Sequence, residues 1–263
     1  MHTCGLKRYY SSIGGLKKRY SAIGSRGHAR CCAAIGEPIL LELNPNKPFP
    51  ENYIDALGKQ FRDRRFVEVQ KMLDHLGRPL RIIDLGGSSR YWTQMGVEPS
   101  DGLEITLVNF MEKHLKHESF INVTGDATNL EYEDNSFDLA FSNSVIEHVG
   151  DDDAKRRMAQ EVQRVASNYF IQTPNRSFII EPHFLLPGIQ FLPVEVATKV
   201  LSKTPLSRGR KWGEEEARNE LESIDLLSKE KLQGLFPDAA ISSEMIGPFA
   251  KSHTAHSFGN LFD

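Results

Sequence analysis

Cysteine is nearly absent from this chain. Its three copies, Cys4, Cys31 and Cys32, all lie within the first 32 positions. The rest of the chain can therefore build neither a disulfide framework nor a cysteine-ligated zinc site, and a reducing compartment is the expected setting. No run of about 20 apolar residues occurs, so no transmembrane segment is expected. The nearest approach, Phe184–Leu201, is interrupted by Pro187, Pro193, Glu195 and Lys199 and reads as a bent surface or lid segment. Acidic residues are missing from positions 1–36, which carry seven Lys and Arg. The remainder then holds 25 basic and 35 acidic side chains. An acidic body lacks the clustered cations that neutralise phosphates, so no nucleic-acid partner is expected. No continuous apolar segment follows the early charges, so the secretory signal pattern is lacking too.

The basic head, residues 1–36, contains a short near-repeat, KRYYSSIG and KRYSAIG, without apolar periodicity. It reads as a disordered segment ahead of a cytoplasmic domain. A transit-like presequence for an organelle, or a basic tether making peripheral membrane contact, are the rival readings. Residues 37–50, with four prolines, read as an extended linker. Beyond it, apolar residues at helical spacing predict a helix over about 53–77, ended by Gly77 and Pro79. Strands are predicted at 80–85, 102–110, 119–126, 136–144 and 168–175, and two closing strands at 240–246 and 251–258. Helices are expected at Asp152–Ala166 and from Ser228 to Pro237. Residues 176–213 read as an irregular insertion in a single domain spanning 37–263. Strands alternating with helices imply an α/β fold with a mainly parallel sheet.

Within this frame LRIIDLGGSSRYW, residues 80–92, is the most telling stretch. A buried strand stops at an acid, Asp84, and a glycine pair, Gly86 and Gly87, turns the chain into a helix. Glycine permits positive φ and lets a ligand approach the backbone, and open α/β sheets bind ligands at such strand ends. Gly-rich turns of this kind also serve dinucleotide enzymes, although GGSSRY is not GxGxxG.

The order IIDLGG, LVNF, GDATNL, DNSFDLAFSNSVIEHVGD and YFIQTPN, at 82–87, 107–110, 125–130, 134–151 and 169–175, resembles a class I S-adenosylmethionine-dependent methyltransferase of the type 11 group. The resemblance covers about residues 60–258. It implies a Rossmann-like three-layer sandwich with a seven-stranded, mainly parallel sheet and one antiparallel strand near the C-terminus. It also implies S-adenosylmethionine as cofactor and in-line methyl transfer to a small-molecule, lipid-linked or glycan acceptor. Asp84, Gly86, Gly87 and Ser88 would flank the amino-acid end of the cofactor. Asn109 stands where such enzymes commonly carry a ribose-binding acid, and its amide both donates and accepts. Phe110 would cover the adenine, Asp126 and Ala127 would bind its edge, and Ser142 and Asn143 would lie beside the sulfonium.

A base is needed only if the acceptor must lose a proton. His148, soon after the fourth strand and with Glu147 expected at the surface, is the first candidate. His183, beside Glu181 in IEPHFLLPG, is the second. Arg176, Arg208, Arg210 and Lys211 could attract an acidic acceptor or form a solvated face. No HxxxH or HExxH spacing occurs, and no metal site is expected. Two other classes stay open at this point: a dinucleotide-dependent enzyme, and a degenerate binding module without catalysis.

Overall fold

A computed structural model describes residues 51–99, 102–111 and 119–262, with the backbone alone for 51–60. The chain divides into two units, 1–38 and 39–263. The readings of residues 1–36 and of the linker 37–50 lie outside the described residues.

The long helix α1 (Glu51–Leu76) buries Phe61, Arg65, Val69, Met72 and Leu73, a stripe at the spacing that keeps one face on the core. It stops where Gly77 takes φ +79° and donates its N–H to the Leu73 carbonyl at 3.1 Å, the usual left-handed stop. The sheet strands follow as β1 (Leu80–Leu85), β2 (Leu103–Asn109), β3 (Ile121–Thr124), β4 (Leu139–Asn143) and β5 (Tyr169–Pro174). Between them lie α2 (Ser89–Gln94) and α3 (Asp152–Val165). The chain closes with a short hairpin β6 (Ile180–Glu181) and β7 (Leu186–Pro187), helices α4 (Val194–Lys203), α5 (Glu214–Ser223) and α6 (Lys229–Leu235), and strands β8 (Ala240–Ile246) and β9 (Phe249–His256).

The seven-stranded sheet has the order β3-β2-β1-β4-β5-β9-β8. β1 through β5 pair in parallel, and β9 runs antiparallel to both β5 and β8. This is the three-layer, Rossmann-like architecture with one antiparallel strand near the C-terminus. Central β1 is buried at every position but Arg81, as expected for a parallel strand covered on both faces. Successive residues serve opposite faces. Ile83 and Leu85 join Met158 and Val162 of α3 and Leu232 of α6, whereas Ile82 joins Met72 and Leu73 of α1 and Trp92 of α2.

The reading of 176–213 as irregular needs correction. This segment holds β6, β7 and α4, and Phe184, Leu186, Ile189, Ala197 and Leu201 form a small core of their own with Ala217 of α5. Phe184 and Leu201 are buried, so the segment is packed rather than lying on the surface. Two-residue strands and a helix preceded by Pro193 leave too little periodicity to be seen in sequence. No helix among the described residues is long and apolar enough to cross a membrane.

Candidate functional site

The switch from β3-β2-β1 to β4-β5 places the C-terminal ends of β1 and β4 side by side, which is where open α/β sheets hold ligands. At the end of β1, Gly86 takes φ +77°, and a Cβ there would fall 2.5 Å from Val145 Cγ2. Gly87 is tighter still: a Cβ would lie 1.7 Å from Asp84 Oδ2. The glycine pair lets the turn fold over its own strand end. Asp84 is buried and accepts the Trp92 indole N–H at 2.7 Å, so it fixes the turn to α2. Ser88 caps α2, accepting from Tyr91 N at 3.4 Å. Asn109 donates to the Gly87 carbonyl at 3.1 Å, which ties the end of β2 to the same turn.

This donor set fits an adenosyl cofactor. Asn109 spends one N–H on Gly87 and keeps its carbonyl oxygen and a second N–H, enough to bind a diol. Phe110 and Met111 are 81% and 75% exposed, leaving an aromatic face and a thioether open to a flat apolar group. Asp126 accepts from Thr128 N through Oδ1, which caps a turn and leaves a second oxygen. Ala127 packs partly against the core. Ser142 is buried and donates to the Leu85 carbonyl at 3.1 Å, joining β4 to β1. The Asn143 side-chain oxygen Oδ1 accepts from Arg65 at 2.6 Å.

Arg65, on α1, carries no functional signal in the sequence. It is buried, and it pairs with Glu244 of β8 through two nitrogens, at 3.1 and 2.7 Å. Lys251 and Ser252 of β9 reach the same carboxylate. Burial alone would raise Glu244, but the Arg65 and Lys251 charges and hydrogen bonds from Arg65 and Ser252 outweigh it and hold the carboxyl below its ordinary value. Nearby Glu68 is pushed from 4.5 up to about 6, first by burial and then by the Glu244 charge. The sign follows from the folded value lying above the unfolded one. Glu68 costs stability as pH rises from 4.5 through 6, and the full cost is present above that. Glu68→Gln is therefore expected to raise the melting temperature at pH 8 by a few degrees, about 1–2 kcal/mol, with the gain vanishing at pH 4. Thermal melts at the two pH values check this.

Beyond β4 the chain bends sharply. Ser144 takes φ +58°, held by its N–H on the Gln172 carbonyl and its hydroxyl on the Gln172 side chain. Val145 then packs over Gly86, and a 3-10 turn, Ile146–His148, follows. This turn carries Glu147 inward, contrary to the expectation of a surface carboxylate. Glu147 is 0% exposed, and its Oε2 accepts from Thr173 of β5 at 3.0 Å. Burial pushes its carboxyl up to about 7, against the pull of its hydrogen bonds and of His183. The signal was present in VIEHV, a lone acid between apolar neighbours, but only the Ser144 bend turns it toward the sheet.

His148 and His183, far apart in sequence, meet edge to face with ring centroids 5.0 Å apart. Glu181 is buried. It accepts from Phe184 N and sits 2.6 Å from His183 Nδ1. Burial alone would lower His183, but the hydrogen bond and charge of Glu181 raise it, whereas burial and the charge of His183 lower His148. Arg208 holds the carbonyls of His183 and Pro182, and Arg210 pairs with Glu216 and stacks on Trp212. A cavity of about 190 Å³ adjoins Glu181, walled by Phe184, Ile189, Leu221 and Ile224 and edged by Arg176.

A methyltransferase-domain family model of the type 11 group matches residues 85–168, from the end of β1 to the start of β5. No curated protein matches the chain. Among solved structures, the chain is similar to an S-adenosylmethionine-dependent methyltransferase from Methanosarcina mazei. The pair share 14% identity at a TM-score of 0.42, covering 70% of this chain and 93% of that one. A methyltransferase from Aquifex aeolicus shares 12% identity at a TM-score of 0.40, covering 74% and 97%. A putative zinc-dependent alcohol dehydrogenase from Rhodobacter sphaeroides shares 10% identity at a TM-score of 0.50, covering 74% and 88%. The segment that resembles the methyltransferase domain of the type 11 group runs from the glycine turn through the VIEHV bend.

Proposed function

We propose that this enzyme methylates a compact small molecule with a hydroxyl at the reacting end. The observation that carries this reading is the cavity behind Glu181. Its walls mix apolar side chains with Arg176, Gln190 and Asp225, and its edge residue Glu181 also holds His183. A space of about 190 Å³ suits a compact acceptor better than a glycan chain. Lipid-linked and glycan acceptors are the outcomes that would correct the assignment.

On this reading Asp84, Gly86, Gly87 and Ser88 shape the floor for the amino-acid end of S-adenosylmethionine. Asn109 holds the ribose, and Phe110, Asp126 and Ala127 hold the adenine. Ser142 and Asn143 flank the sulfonium. When bound, the cofactor supplies an activated methyl, whose bond to sulfur breaks with the electron pair left on sulfur as the acceptor oxygen bonds to carbon. The protein contributes orientation and exclusion of water. His148 and His183 line the acceptor end, where the hydroxyl proton must be drawn off.

The first test is binding of S-adenosylhomocysteine, which should stabilise the full chain by about 2.7 kcal/mol at a hundredfold excess over its Kd. Absence of any thermal shift at millimolar ligand would overturn the cofactor assignment for this site. The second is transfer of labelled methyl to panels of phenolic and aliphatic hydroxy compounds, lipid-linked intermediates and oligosaccharides. Label in the oligosaccharides alone would overturn the acceptor class.

A further inference from the structure

We propose that Glu147, His148 and His183 bind one divalent transition-metal ion at the acceptor end of β4 and β5. The proposal rests on reading that end as the acceptor side.

The three residues each offer a ligand atom, and these atoms lie within 4.8 Å of one another. Metal–ligand bonds of about 2.0–2.2 Å set donors roughly 3–3.5 Å apart, so small side-chain rotations close the site. Each ligand has one atom fixed by another group and one left over. Thr173 holds Glu147 Oε2, while Glu147 Oε1 is buried and has no hydrogen-bond partner. Glu181 holds His183 Nδ1, leaving Nε2. The Ser223 backbone hydrogen bonds the ring of His148, leaving its other nitrogen. Imidazoles oriented by a carboxylate or a backbone carbonyl on the far nitrogen are the usual supports of metal-binding histidines.

An orphaned carboxylate oxygen in a fully buried side chain is costly. A proton there would still need an acceptor, whereas a cation satisfies it directly. Two imidazoles and one carboxylate suit divalent zinc, manganese, iron or cobalt better than magnesium or calcium, and three protein ligands leave positions open. His148 is exposed, so those positions can face an incoming acceptor. A cation there would draw the acceptor's hydroxyl oxygen and promote loss of its proton to water before the O–CH3 bond forms. Glu181 is then a positioning residue, acting through His183.

The test uses the full chain, stripped with a chelator and titrated with Co²⁺. One equivalent should bind, with visible bands of nitrogen and oxygen ligation. The thiolate charge-transfer band that Cys4, Cys31 or Cys32 would produce should be absent. Glu147→Gln and His183→Asn should abolish that uptake, and Glu181→Gln should weaken it about 10–100-fold. Chelation should lower kcat, and Mn²⁺ or Co²⁺ should restore it. Stabilisation by S-adenosylhomocysteine, measured on the same samples, shows that a variant is folded. Should a ligand variant lose that as well, Glu181→Gln carries the test. Absence of binding, binding through thiolates alone, or unchanged uptake in the variants would overturn the proposal. Cobalt uptake at the cluster with no S-adenosylhomocysteine stabilisation would instead overturn the cofactor reading and leave the metal site standing.

Discussion

Gly87→Ala should lower stability by about 2–6 kcal/mol and remove stabilisation by S-adenosylhomocysteine. The added Cβ would fall 1.7 Å from Asp84 Oδ2 and 2.0 Å from its Cγ. Asp84 cannot swing away freely, because it is buried and bonded to the fully buried Trp92. Relief requires breaking that buried hydrogen bond, about 1–3 kcal/mol, together with an overpacking cost of about 1–3 kcal/mol. The Gly87 carbonyl also receives Asn109, so moving the turn misplaces the residue assigned to the ribose. Thermal melts with and without ligand measure both effects. Gly234→Ala in α6 is the control, since nothing lies within 4 Å of its added Cβ. It should raise stability by about 0.5–1 kcal/mol through helix propensity alone. Equal losses in the two variants would sink the account of the turn.

Arg65→Met should cost about 3–5 kcal/mol, the range for stripping one partner from a buried ion pair. It leaves Glu244, whose side chain is 10% exposed, with Lys251 as its remaining cation among the described residues, and it frees Asn143 beside the proposed sulfonium position. Adding Glu244→Gln should recover part of the loss, giving a coupling energy in a double-mutant cycle. The pH dependence has a definite sign. Glu244 is held below its ordinary value in the folded protein, so its contribution is present above the unfolded carboxylate value near 4.5 and fades as pH falls through the folded one. Arg65→Met should flatten this acid limb. Chemical denaturation from pH 3 to 7 checks it, and additive losses in the cycle would show the pair to be uncoupled.

The strands were legible because each is a short apolar run closed by turn residues. Predicted and observed limits of β1 and β8 coincide, and those of the other sheet strands differ by one to two residues at most ends and up to three at the start of β4. Helix α5 and the β6-β7 hairpin were not legible. Glu214–Ser223 is rich in charge and buries only Ala217, and two-residue strands carry no period. In the site, Gly86, Gly87 and the two histidines stand out by residue type. Arg65, Trp92 and Thr173 do not, since an arginine on a helix, a core tryptophan and a strand threonine look ordinary until their partners are known.

The local pattern alone determined an α/β fold with a glycine turn at the end of the first strand and a likeness to methyltransferase domains, because strand periodicity, glycine turns and motif order are short-range properties. What only the tertiary structure decided is the company each polar group keeps. Asn109 reaches back 22 positions to Gly87, Arg65 spans 179 positions to Glu244, and His183 meets His148 across β5. Whether Glu147 meets water or the sheet depends on the φ of Ser144 and on the register that sets Thr173 opposite it. Chain segments remote in sequence set those environments, and the environment decides whether a carboxylate or an imidazole is a solvated surface group or part of a reactive cluster.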